Sequence, residues 1–133
     1  MIGVTGASGQ LGRQVIEQLL ESVPGAGIVA LVRDPAAVQD LQAAGVQTRQ
    51  ADYDRPATLA AALAGVDKLL LISSNAIGRR TDQHRAVIEA ARQAGVKLIA
   101  YTSILHADSS PLPLAVEHRE TEALLRASGI DHV

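Results

Sequence analysis

The chain has 133 residues, of which 47% are apolar and 20% charged, and a formal net charge of -2. That length suits one domain with a core of its own. The weak acidic balance offers no clustered basic face for nucleic acid. The lack of cysteine rules out disulfide and thiolate chemistry.

The first stretch, Ile2-Gly3-Val4-Thr5-Gly6-Ala7-Ser8-Gly9-Gln10-Leu11-Gly12-Arg13, reads as a buried strand, a glycine turn and the start of a helix. Gly6, Gly9 and Gly12 are spaced three apart. A dinucleotide turn uses glycine to bend tightly, to admit a pyrophosphate against the backbone, and to pack helix on strand. The following helix, Leu11 to Ser22, offers unpaired amides and a positive dipole end to phosphate. The spacing G-x-x-G-x-x-G departs from G-x-G-x-x-G; the strand before it and the helical apolar spacing after it carry the assignment.

Ile28 to Val32 is a continuous apolar run, suited to a strand covered on both faces. Asp34-Pro35 then caps a short helix reaching Ala44. A third strand is expected near Val46 to Gln50, a helix from Pro56 to Gly65, and a fourth strand from Lys68 to Ser73. A longer helix covers Thr81 to Ala94, followed by a fifth strand from Lys97 to Ser103. Ile104 to Pro113 reads as a loop, and a last helix runs from Leu114 to Ala127. Gly45, Gly65, Gly95 and Gly129 each follow a helical pattern where a left-handed cap belongs. Strands alternating with helices predict a Rossmann-type α/β fold: a doubly wound parallel sheet, order 3-2-1-4-5-6, with helices on both faces. Ile130 to Val133 starts a sixth strand, so the chain is expected to be truncated there.

Ligands of such sheets sit beyond the carboxyl ends of the strands. Arg33 lies about 20 residues past the glycine turn, where an arginine favours the 2′-phosphate of NADP and an acidic residue the ribose of NAD. The neighbouring Asp34 also serves as a helix cap. Asp52 could accept from an adenine amino group and Tyr53 could pack on the ring; the alternative is a helix cap by Asp52 or Asp54. Ser73 and Ser74 could bond a ribose or phosphate near the nicotinamide. No histidine pair has metal-ligand spacing. His84 reads as a helix-surface residue, and His106 sits past the fifth strand where substrate could approach. Glu117, Glu120 and Glu122 read as a solvated face with Arg119 and Arg126.

The segments Val4 to Gly12, Leu31 to Pro35, Gln50 to Tyr53, Leu69 to Ser74, Tyr101 to Pro111 and Glu117 to Glu122 resemble the NmrA-like, atypical short-chain dehydrogenase/reductase family, and within it the bacterial quinone reductases. The resemblance spans the whole chain. It implies an NADPH-binding Rossmann domain, a smaller C-terminal part completing the substrate pocket, and hydride transfer to a quinone. It also implies that Gly6, Ser8, Gln10, Leu11 and Gly12 cradle the pyrophosphate, Arg33 takes the 2′-phosphate, and Ser73 and Ser74 flank the ribose near the nicotinamide. The Tyr-x-x-x-Lys pair of active relatives is replaced by Leu114 and His118. Alcohol–ketone chemistry is therefore unexpected; an electrophilic quinone needs no tyrosine proton donor. A non-catalytic, cofactor-binding redox sensor is the alternative function. No membrane span and a cytoplasmic location are expected.

Overall fold

The computed structural model describes residues 1–133. Six strands form one parallel sheet: β1 (Ile2–Thr5), β2 (Ile28–Val32), β3 (Gln47–Gln50), β4 (Lys68–Leu71), β5 (Leu98–Tyr101) and β6 (Asp131–His132), in the order β3-β2-β1-β4-β5-β6. The helices are α1 (Gln10–Leu20), α2 (Gln39–Ala43), α3 (Pro56–Ala62), α4 (Arg80–Ala94) and α5 (Leu114–Ser128). The predicted strand order is thus the observed one, and its reversal point lies between β1 and β4.

Strand β2 shows why the sheet is covered on both faces. All five of its residues are buried. Ile28, Ala30 and Val32 join Val4, Ile16 and Leu41 on the side of α1 and α2. Val29 and Leu31 point the other way, into the larger cluster with Leu59, Leu69, Leu71, Val87, Ile99 and Leu125 under α3, α4 and α5. The period of two in side-chain direction divides one apolar run between two cores.

Helices end where glycine permits it. Gly45, Gly65, Gly95 and Gly129 all have φ between +72° and +84°, the left-handed turn that releases a helix into a strand. The short helix after Asp34-Pro35 is split: a 3₁₀ turn, Pro35–Val38, precedes α2. Asp34 does cap it, its carboxylate accepting from the Ala36 amide at 3.0 Å.

The fourth strand stops at Leu71 instead of Ser73. Its ladder is taken over by side chains. The Ile72 amide donates to Thr5 Oγ1 and the Ser73 amide to Thr102 Oγ1, each at 2.8 Å. These bonds let the chain leave the sheet with its donors satisfied. They turn residues 72–76 into a wall above the carboxyl ends of β1 and β4.

Candidate functional site

A cleft of about 430 Å³ opens at that reversal point, a size ordinary for cofactor sites. Its lining includes Gly6, Ser8, Gly9, Arg33, Asp52, Tyr53, Ser73 and Ser74. These predicted residues come from four separate strand ends. A larger, shallower groove of about 780 Å³ between α4 and α5 touches none of them. The smaller cleft is the one at the sheet's switch point, where ligands of this architecture bind.

The glycine turn is built by the backbone. Gly6 has φ +59°, which an L side chain adopts at a cost. The Gly9 amide turns back to the Gly6 carbonyl at 2.9 Å. Gly12 is buried, and a Cβ there would stand 2.7 Å from Ala7 Cα and closer still to the Gly6 carbonyl oxygen. Its role is therefore the close approach of α1 to the turn. Gly12, Gln10 and Leu11 lie outside the cleft lining; Gln10 and Leu11 are exposed on the first turn of α1. The N-cap of α1, Gly9, makes no side-chain cap bond, so the helix's leading amides have no side-chain acceptor there.

Arg33 is exposed at the end of β2, and its guanidinium enters no ion pair. The other cation of the cleft, Arg79, is paired with Asp54. Arg33 is thus the charge left free to meet an anion.

The loop after β3 differs from the capping alternative. Neither Asp52 nor Asp54 caps α3, whose N-cap is Arg55 without a side-chain bond. Asp52 Oδ1 instead accepts from the Asp54 amide at 3.0 Å, and the Asp52 amide donates to Thr58 Oγ1 at 3.0 Å. These bonds shape the turn that brings Tyr53 into the cleft. Tyr53 packs against the core beneath. Burial pushes its phenol up to about 12, only partly offset by a hydrogen bond with Thr5. It stays protonated and can stack or bond, but cannot serve as a base. Arg79, followed by Gln83, holds the Asp54 carboxyl below the usual carboxylate range.

Both serines are engaged. Ser73 Oγ accepts from Thr102 Oγ1 at 3.2 Å, and Ser74 Oγ donates to Gln83 Oε1 at 2.6 Å. Gln83 and Arg79 also line the cleft; both escaped the sequence reading because polar residues at a helix start look like a solvated face.

Two further assignments are corrected. His84 is fully buried rather than on the helix surface. It bridges the Ser74 amide and Thr121 Oγ1, and burial, then the Arg80 charge, lowers it to about 4. The acidic face of α5 is divided: Glu120 is exposed and Glu122 pairs with Arg126, as a solvated face predicts, whereas Glu117 is turned inward. Glu117 accepts from the Gly78 amide at 2.9 Å and lies 3.8 Å from buried Arg80. Glu120 accepts from Thr81, and Glu122 from Ser103 at 2.6 Å. His118 is buried as well, between the Tyr101 hydroxyl at 2.7 Å and Arg80 at 3.3 Å. His106 sits exposed in the loop with φ +53°, outside the cleft lining.

The fold and glycine turn agree with the match of a family profile described as NAD(P)H-binding, over residues 6–133. The chain belongs to the NAD(P)H-binding, NmrA-like family. Within that family it is 62% identical over 130 residues to quinone oxidoreductase 2 of Escherichia coli, covering 98% of this chain and 46% of that protein. An NmrA-like family domain-containing oxidoreductase of Aspergillus flavus is 36% identical, over 96% of this chain and 44% of its own. The crystal structure of the E. coli NADPH-dependent quinone oxidoreductase with NADPH superposes with a TM-score of 0.96 at 61% identity, over 99% of this chain and 47% of that one. The Citrobacter triphenylmethane reductase with NADP(H) also reaches 0.96, at 45% identity, with the same coverage of the two chains. The NmrA-like chain described here spans under half the length of these relatives. No helix is long and apolar enough to cross a membrane.

Proposed function

We propose that residues 1–133 form the cofactor half of an NADPH-dependent quinone reductase. The observation that carries the reading is the pairing of a glycine turn with a free arginine in one cleft. The turn's backbone amides suit a pyrophosphate. Arg33, unpaired at the end of β2, suits a 2′-phosphate by charge-assisted, bidentate bonds. Preference for NADP over NAD follows from that position. The similarity to an NADPH-dependent quinone oxidoreductase supports the choice of electron acceptor. A cytoplasmic location accords with this chemistry.

The bound cofactor supplies a hydride; a quinone accepts it together with a proton and leaves as hydroquinone. The chain's residues bind and orient. Gly6, Ser8 and Gly9 would hold the phosphates, Asp52 and Tyr53 the adenine, and Ser73 and Ser74 a ribose edge. No proton donor is offered by the helix after β5, since Leu114 and His118 replace the Tyr–Lys pair and His118 is buried under Tyr101. A quinone's oxygens can take protons from solvent, whereas a ketone benefits from a positioned acid. Residues following Val133 in a longer chain would complete the substrate pocket.

The test is a calorimetric titration with NADPH and NADH, followed by quinone-dependent NADPH oxidation by the full-length protein. The reading expects tighter NADPH binding and turnover. Equal affinity for both cofactors would remove the role of Arg33, and binding without turnover on any quinone would remove the enzyme. The latter result favours a cofactor-sensing regulator, the reading that buried His118 supports.

A further inference from the structure

The cleft has a second layer that cofactor contacts do not account for. Gln83 and His84 are consecutive on α4, so their side chains leave the helix about 100° apart. Both are nevertheless buried, and both reach the same residue of the facing loop. The Ser74 amide donates to His84 Nε2 at 3.0 Å, and the Ser74 hydroxyl to Gln83 Oε1 at 2.6 Å.

Every proton in this arrangement has one place to go. Ser74 Oγ accepts from the Ala76 amide at 3.0 Å, so its own proton points at Gln83 Oε1. The Gln83 amide group therefore faces away and donates to Asp54 Oδ1 at 3.0 Å, on the loop after β3. An amide N–H only donates, so His84 Nε2 must be bare and Nδ1 must carry the proton. Nδ1 donates to Thr121 Oγ1 at 2.9 Å, and that hydroxyl in turn donates to the Glu117 carbonyl at 2.9 Å. The neutral ring is the only form that satisfies both contacts. Its surroundings agree: Arg80 on the same helix and His118 on α5 both disfavour a second positive charge. Tyr101 on β5 presents an edge-on contact at 5.4 Å, and Glu117 is held by Arg80 and the Gly78 amide.

We propose that Gln83 and His84 are positioning residues: together they clamp Ser74 by hydroxyl and amide, and Gln83 ties it to Asp54, setting the distance between the loops after β3 and β4, two of the four that line the cofactor cleft. The clamp rests on the reading of that cleft as the NADPH site. Neither residue needs to touch the cofactor. They act by fixing where Ser73, Ser74 and the Asp52–Asp54 turn stand when the cofactor arrives, which lowers the ordering that binding must impose.

Calorimetric NADPH affinity and a thermal melt on the same preparations test this. Gln83→Met keeps the volume and charge but loses both bonds; it is expected to melt cooperatively and bind NADPH ten-fold or more weaker. His84→Leu should do the same, and His84→Gln, whose side-chain oxygen can meet the Ser74 amide, should recover most of the affinity. Gln83→Glu sets a carboxylate against Asp54 and should weaken binding further; adding Asp54→Asn restores a donor–acceptor pair, with the new carboxylate at position 83 replacing Asp54 as the partner of Arg79 one turn before it, and should return affinity to within about three-fold of wild type. Should His84→Leu fail to fold, Gln83→Met and the Gln83→Glu/Asp54→Asn pair carry the test. Variants that melt lower yet bind NADPH within two-fold of wild type overturn the proposal and leave the network a purely stabilising one. Loss of affinity that neither His84→Gln nor Asp54→Asn repairs also overturns it. Wild type that binds no NADPH sinks the functional reading itself, and the clamp with it.

Discussion

Two neighbouring loops of the cleft, after β1 and after β4, are made in different ways. The loop after β1 is a backbone device. Gly6 turns on a left-handed φ, the Gly9 amide closes the turn, and Gly12 lets α1 lie against it. The loop after β4 is a side-chain device. Thr5 at the end of β1, Thr102 just past β5, and Gln83 and His84 on α4 hold the amides and hydroxyl of residues 72–74. The first loop depends on atoms that are missing, the second on atoms that are present. Substitutions should therefore act on them in opposite ways: any addition harms the first, and specific deletions harm the second.

The largest effect is expected at Gly12. Its added Cβ would meet only backbone, at Ala7 Cα and at the Gly6 carbonyl, and backbone cannot rotate away. Overpacking of this kind costs about 1–3 kcal/mol in stability, and moving the turn removes the amides a pyrophosphate would use. Gly12→Ala should lower the melting temperature and abolish measurable NADPH binding. A variant that binds normally would show that α1 and the turn can part without cost to the site.

His84 provides the next test, on the other loop. Its folded form is held near pH 4 against an ordinary value of 6.5. Between those values the unfolded chain takes up a proton that the folded chain refuses, so stability is fully present above about pH 6.5 and is lost as pH falls toward 4. The full shift corresponds to about 3 kcal/mol as an upper figure. Chemical denaturation of wild type and His84→Gln at several pH values isolates this contribution. The wild-type curve should be steeper over that window, and parallel curves would refute the neutral, tautomer-fixed ring.

The Arg33 test compares cofactors rather than loops. Arg33→Ser removes a charge that has no partner in the protein, so folding should be untouched. A charge-assisted hydrogen bond contributes about 1.5–3 kcal/mol, or roughly ten- to a hundred-fold in NADPH affinity. NADH affinity should hardly move. Equal losses for both cofactors would place Arg33 on the pyrophosphate instead of the 2′-phosphate.

The same division explains what could be read from the chain alone. Backbone devices leave glycine, proline and apolar periodicity in the sequence, and these are local. The sheet order, the left-handed helix ends and the glycine turn follow from such signals. Side-chain devices join residues far apart in number. Gln83, at the start of a helix and beside charged neighbours, has the sequence context of a surface residue; only the fold brings Ser74 and Asp54 to it. His84 and Glu117 have the local context of solvent-facing helix residues for the same reason. The early end of β4 belongs here too. Ile72 is a good strand residue that extends the apolar run, and it is threonine hydroxyls on β1 and beyond β5 that draw it and Ser73 out of the ladder.

The smallest expected effect lies away from the cleft and sharpens the meaning of the largest pKa shifts. Glu89 is held down to about 2, chiefly by its hydrogen bond with Arg92, followed by Gln93. The shift is similar in size to that of His84, yet the side chains of Glu89 and Arg92 are both about half exposed, at 49% and 55%. Its sign would favour the folded state above the ordinary carboxylate range and lose that contribution as pH falls toward 2. Solvent and salt screen the charges there, and each flexible side chain loses entropy in pairing. His84 has no solvent beside it and no counter-ion, only the like charge of Arg80, and its alternative is a charged ring that can no longer accept from the Ser74 amide. Glu89→Gln should therefore leave the melting temperature unchanged at physiological salt, whereas His84→Gln should flatten the acid limb. If Glu89→Gln also flattened it, the surface of α4 would share the stabilising role assigned to its buried face.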